Sequence, residues 1–156
     1  MIANQASSVS LDQIFAALRP LPASYLAAVR QIEQADFKTL RPVKVAVLAT
    51  FTANLLKPYL IVEGARRGLR INTHFAPFNQ LEQQVLNPAS DFHEFDSEVV
   101  VIATRIEDLA PDLINRFLSL SGGEISAQLS QIRDRLESLI QNLRRAGTAT
   151  ILVYNF

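Results

Sequence analysis

The chain contains no cysteine. That excludes disulfides, cysteine-ligated zinc and a thiol nucleophile, and it is compatible with the cytoplasm. Net charge is absent too: Lys+Arg and Asp+Glu are each 15. Nucleic-acid binders carry a basic excess, so no nucleic-acid partner is expected. Long apolar runs are also missing. Met1 to Ser10 is polar, without the apolar stretch of a signal peptide. No run is long enough to span a bilayer, so no membrane association is expected. What is present is 49 % hydrophobic and 19 % charged over 156 residues. That suits one globular domain with a buried core.

The apolar pattern divides the chain at about residue 42. Before it, Leu11, Ile14, Phe15 and Leu18 recur at helical spacing behind Ser10, a candidate N-cap. Pro20 and Pro22 interrupt, and Tyr25, Leu26, Val29 and Ile32 form a second stripe starting near Ala23. Residues 1–41 therefore read as a helical extension. After it, VKVAVLAT (Val43 to Thr50) is a β-branched apolar run, as in a parallel strand buried on both faces. A helix is expected from Asn54 to Arg67, with Pro58 early in it and Gly68 as its stop. Leu69 to Phe75 reads as a strand, Gln80 to Leu86 as a short helix, and Glu98 to Thr104 as a third strand. Asp112 to Leu120 reads as helical. Ser121-Gly-Gly-Glu124 has capping-box spacing and opens a long helix that carries Ile125, Leu129, Ile132, Leu136, Leu139, Ile140 and Leu143 on one stripe and stops at Gly147. Ala149 to Phe156 is a last strand.

Strands alternating with helices predict an α/β fold, a doubly wound parallel sheet of about four strands over residues 42–156. The sequence stops on a buried-type strand, so this domain is expected to be truncated at its C-terminal end. The near-heptad stripe on the long helix leaves a homodimer open, although such a stripe more often faces a core.

In this architecture ligands meet the carboxyl ends of the strands. The candidates there are Thr50, Thr52 and Asn54 after the first strand, and Pro77, Phe78, Asn79 and Gln80 after the second. Thr104, Arg105, Glu107 and Asp108 follow the third, and Asn155 ends the fourth. The first loop, ATFTAN, is neither GxxxxGK[ST] nor GxGxxG, which argues against dinucleotides and nucleoside triphosphates, while Thr50, Thr52 and the following helix N-terminus leave an FMN-type phosphate site open as the alternative to a plain cap. Thr52 or Asn54 is expected to cap the following helix. Arg105 at a strand end suits a carboxylate or phosphate, or else pairs with Glu107 or Asp108. His74 reads as a partly buried strand residue and His93 as an exposed turn residue. Two histidines with scattered acids give no metal-ligand spacing.

Three pieces within Pro42 to Thr104 resemble the N-terminal region of FkbH-like proteins: VAVLATFTANLLKPYL, FAPFNQLEQQVLNPAS and FDSEVVVIAT. The resemblance implies a flavodoxin/SGNH-hydrolase-like three-layer sandwich. It implies a HAD-type domain elsewhere that uses magnesium and loads a glyceryl unit onto an acyl carrier protein in polyketide or related biosynthesis. The DxDxT motif of such a domain does not occur in this chain, so no cofactor is expected within it. The Gly-Asp-Ser of SGNH enzymes is replaced by Ala49-Thr50-Phe51 with Thr52 next, and the usual Asn falls near Thr104 or Arg105.

The first expectation is therefore an accessory domain that binds an acyl carrier protein or its own HAD domain. A divergent esterase using Thr50 or Thr52 is the second, and a helix-mediated interaction or dimerisation module the third.

Overall fold

A computed structural model of the chain describes residues 10–35 and 37–154. The elements in order are helices α1 (Leu11–Ala16) and α2 (Pro22–Ala35), strand β1 (Arg41–Ala49), helix α3 (Lys57–Arg66), strand β2 (Leu69–Phe75), and helices α4 (Leu81–Leu86) and α5 (Asp91–Phe95). Then come strand β3 (Val99–Ala103), helices α6 (Ile106–Leu109), α7 (Pro111–Asn115) and α8 (Gly122–Ala146), and strand β4 (Thr150–Val153). The fold class is α/β: one all-parallel sheet in the order β2-β1-β3-β4, flanked by helices. The order steps outward from β1 in both directions, as expected of a doubly wound sheet. Among the described residues no helix is long and apolar enough to cross a membrane.

Contacts divide the chain into two compact units. The first holds the described residues up to Val43 together with Leu55–Asn72. Its helices bury Ile14, Val29, Ile32, Ile61 and Val62 against one another. Ser10 caps α1 in a full capping box: its Oγ accepts the Gln13 N–H at 3.3 Å, and Gln13 Oε1 accepts the Ser10 N–H at 3.0 Å. After α3, Gly68 takes φ 75°, the left-handed conformation that glycine adopts without strain. Its carbonyl then accepts the Arg41 N–H at 2.9 Å.

The second unit holds Lys44–Asn54 and the residues from Thr73 onward. Val45 to Ala49 are all buried, so this part of β1 has no solvent face. β1 and β3 run in parallel register, from Val45 against Val99 to Ala49 against Ala103. Ala46, Leu48, Val100 and Ile102 pack with Leu81 and Val85 of α4, Phe92 of α5, and Leu139 and Leu143 of α8. Burying one such Leu or Ile contributes about 1.5–3 kcal/mol. The capping box at Ser121 and Glu124 forms as its spacing predicts.

Several local expectations need correction. Residues 54–56 form a 3₁₀ turn, and α3 starts only at Lys57. Asp91–Phe95 is a short helix, because Ser90 caps it: Ser90 Oγ accepts the His93 N–H. The span expected as one helix from Asp112 to Leu120 is α7 followed by a 3₁₀ turn at Phe117–Ser119. Gly147 ends α8 in an extended conformation that any residue can adopt, so no glycine-specific stop operates there. The α8 stripe faces inward: Ile132, Leu139 and Leu143 are buried, Leu136 and Ile140 half-buried, and only Leu129 is exposed.

Candidate crevice at the ends of β1 and β3

The strand order reverses between β1 and β3, and ligand crevices open at such switch points. The Ala49–Ala103 pair ends the β1–β3 ladder. One further bond, Thr50 N–H to the Ala103 carbonyl at 3.1 Å, carries the pairing past it. Alternation along the strands then brings Thr50 and Thr104 onto the face that bears Leu48 and Ile102. Each is 1 % exposed.

The two hydroxyls differ in their partners. Thr50 Oγ1 accepts the Arg105 N–H at 3.2 Å and hydrogen-bonds the Asp108 carboxylate. Thr104 Oγ1 is buried with no partner among the described residues. Arg105 grips Asp108 with two bonds, Nε to Oδ2 at 2.9 Å and Nη2 to Oδ1 at 3.0 Å. Its guanidinium also lies 5.6 Å from the Phe51 ring centroid, a cation–π distance. The hydrogen bond from Arg105 holds the Asp108 carboxyl below its ordinary range, and the Thr50 bond adds to this against a desolvation cost. The same bond raises Arg105. Of the two acidic partners considered for Arg105, Asp108 takes the hydrogen bonds, while Glu107 acts only through its charge.

The other candidates do not join this network. Thr52 and Asn54 are exposed. Neither caps α3, whose N-cap is Leu56 with no side-chain bond. Thr52 therefore keeps a free-standing surface position rather than a structural one. Pro77, Phe78, Asn79 and Gln80 form an exposed turn in which Asn79 takes φ 53°, which asparagine tolerates. No side-chain bond links these four to Thr50 among the described residues. Asn155 lies outside the described residues.

Neither histidine belongs to the crevice network. His93 is half-buried rather than exposed, and its Nε2 lies 2.9 Å from the Val85 carbonyl. His74 packs on Phe95 and Phe92, with centroids 5.5 and 6.5 Å away. Among the described residues no three His, Asp or Glu side chains are grouped to hold a metal ion.

Sequence reading missed the role of Phe51. Its signal was weak, an aromatic two residues past a strand end that becomes a platform only once Arg105 is folded over it.

Residues 44–156 match the family described as FkbH, N-terminal domain. The chain belongs to this family. No curated protein matches the chain. A solved structure shares its fold: the N-terminal part of the protein BF1531 from Bacteroides fragilis, containing a phosphatase domain complexed with Mg. Identity is 21 % and the TM-score 0.59; the match covers 94 % of this chain and 33 % of that one. The FkbH N-terminal chain thus spans about a third of the length of that solved chain.

Proposed function

We propose that the chain is the accessory N-terminal domain of a cytoplasmic FkbH-like enzyme that loads a glyceryl unit onto an acyl carrier protein for polyketide or related biosynthesis. In this reading the transfer chemistry, with its magnesium, belongs to a separate HAD-type domain, and the crevice domain holds the carrier protein. Family membership over residues 44–156 supports the reading.

One observation carries the non-catalytic assignment. A hydroxyl nucleophile needs a base within hydrogen-bond reach. The Thr50 hydroxyl instead sits between the Arg105 N–H and an Asp108 carboxylate that Arg105 keeps charged. A carboxylate held below its ordinary range is a poor proton acceptor at neutral pH. Thr50 therefore acts as a brace that fixes the β3–α6 turn.

The carrier-binding part rests on Arg105. It uses Nε and Nη2 on Asp108, leaving Nη1 for a partner's acidic group. Titration of the chain with an acidic acyl carrier protein at low and high salt tests this. The expected result is a complex weakened by salt and by Arg105→Ala. No complex at either salt level would overturn carrier binding.

A further inference from the structure

β4 is an edge strand with the sequence of an interior one. The order β2-β1-β3-β4 leaves its outer side without a neighbour among the described residues. Leu152, Val153 and Tyr154 are in consequence 51, 45 and 59 % exposed. Natural sheet edges are guarded by a charge, a proline or a bulge. From Thr148 to Tyr154 there is no charged residue, no proline and no glycine. The β3–β4 register also runs without a bulge, from Val99 against Thr150 to Ile102 against Val153.

The inner pairing fixes which groups face outward. Thr150 and Tyr154 donate their N–H groups to the Glu98 and Ile102 carbonyls at 2.9 and 2.8 Å. Main-chain bonds alternate in direction along a strand. Leu152 therefore also faces β3, while the N–H and C=O of Ile151 and Val153 point away from it. Those two residues lie symmetrically about Leu152. Such an edge is complementary to itself when two copies run antiparallel about a two-fold axis. Ile151 then exchanges both bonds with Val153 of the second copy, and the two Leu152 residues meet as a non-hydrogen-bonded pair with their side chains on one face. Tyr154 stands opposite Thr150 of the second copy on that same face. Charge does not oppose this pairing, because the segment is uncharged and the net charge of the chain is zero.

We propose that β4 is a self-association surface, at which two copies of the chain join their sheets edge to edge, antiparallel and centred on Leu152. The second copy covers apolar side chains that the fold leaves in water, and it satisfies main-chain groups that β3 does not reach. Four residues a side are few against a standard interface of about 1,600 Å², so the dimer is a weak one. The α8 stripe takes no part in it, since that stripe faces inward. The inference does not depend on the accessory-domain reading.

The test is sedimentation velocity of the 156-residue chain from about 10 μM to about 1 mM, the range in which a weak dimer forms. A concentration-dependent shift from monomer to dimer is expected. Val153→Pro should abolish it, because the Val153 N–H points outward and the β3–β4 ladder keeps its bonds. Single cysteines test the register, in a chain that has none of its own. Across the axis the two Leu152 Cα atoms would lie about 4.5 Å apart, within disulfide reach, whereas the two Val153 residues would be offset along the strands and out of reach. Leu152→Cys should therefore oxidise to a covalent dimer about tenfold faster than the similarly exposed Val153→Cys, through the higher effective concentration of facing thiols. A single monomeric species across the range would overturn the proposal and leave this edge to a strand of another polypeptide. A dimer that survives Val153→Pro, or equal oxidation of the two cysteine variants, would overturn it as well. The cysteine comparison stands even if Val153→Pro fails to fold.

Discussion

Thr50 and Thr104 are neighbours past the ends of β1 and β3, equally buried, yet only one hydroxyl has partners. Replacing each with valine, close in shape, should move stability in opposite directions. Thr50→Val leaves the Arg105 N–H and one site on Asp108 without their partner. An unsatisfied buried group costs about 1–3 kcal/mol. The Arg105 amide is only partly buried, so a loss of about 1–2 kcal/mol is expected. Thr104→Val removes a hydroxyl that already lacks a partner, so its burial penalty disappears. The expected change runs from neutral to a gain of about 1 kcal/mol. Urea unfolding followed by circular dichroism measures both, with Thr50→Ser as the control that keeps the hydroxyl. Equal destabilisation by the two valine substitutions would refute the assignment of Thr50 as brace and Thr104 as orphan.

Other outcomes follow from the same geometry. Asp108 has a folded pKa below its ordinary value of 3.8. Its contribution is therefore present above that value and lost as pH falls through the folded one. Asp108→Asn should flatten the stability–pH curve in that acid window, as read by urea midpoints across pH. In the first unit, a Cβ on Gly64 would clash with Ile71 Cγ1, so Gly64→Ala should cost about 1–3 kcal/mol from overpacking. Adding Ile71→Ala should recover part of that loss, which a double-mutant cycle would show. Leu136 packs against both the main core and the α6–α7 cluster. Leu136→Asp should therefore lower the thermal midpoint without the concentration dependence of a dimer interface, which sedimentation would check.

β1 and β3 were legible because buried parallel strands write themselves as unbroken apolar runs, whereas β4, expected as a buried-type strand, is mostly exposed. Val43 to Thr50 and Glu98 to Thr104 could hardly be anything else, and Leu69–Phe75 matches to the residue. The caps at Ser10 and Ser121 were legible because capping is a local contract between two side chains three residues apart. The short elements were not. Asp91–Phe95 carries just one buried side chain, Phe92, too little for a periodic signal, and its start depends on Ser90 Oγ, which also donates to the Gln84 carbonyl. The same shortage of periodicity hid the breaks around Phe117. At the crevice, strand ends pointed to Thr50, Thr104 and Arg105. Only folding could decide among the partners of Arg105, since Asp108 lies one position beyond Glu107 and the α6 turn chooses between them. The expected cap at Thr52 or Asn54 failed because the 3₁₀ turn delays α3 to Lys57.

In the proposed reading the Thr50 hydroxyl braces Arg105 and Asp108 and does no nucleophilic chemistry. Intact-mass spectrometry after exposure to a fluorophosphonate ester, which traps activated hydroxyl nucleophiles, tests it most directly. An unmodified chain is expected. A stoichiometric adduct that maps to Thr50 or Thr52, and disappears when that threonine is replaced by valine, would contradict it and identify the chain as an esterase.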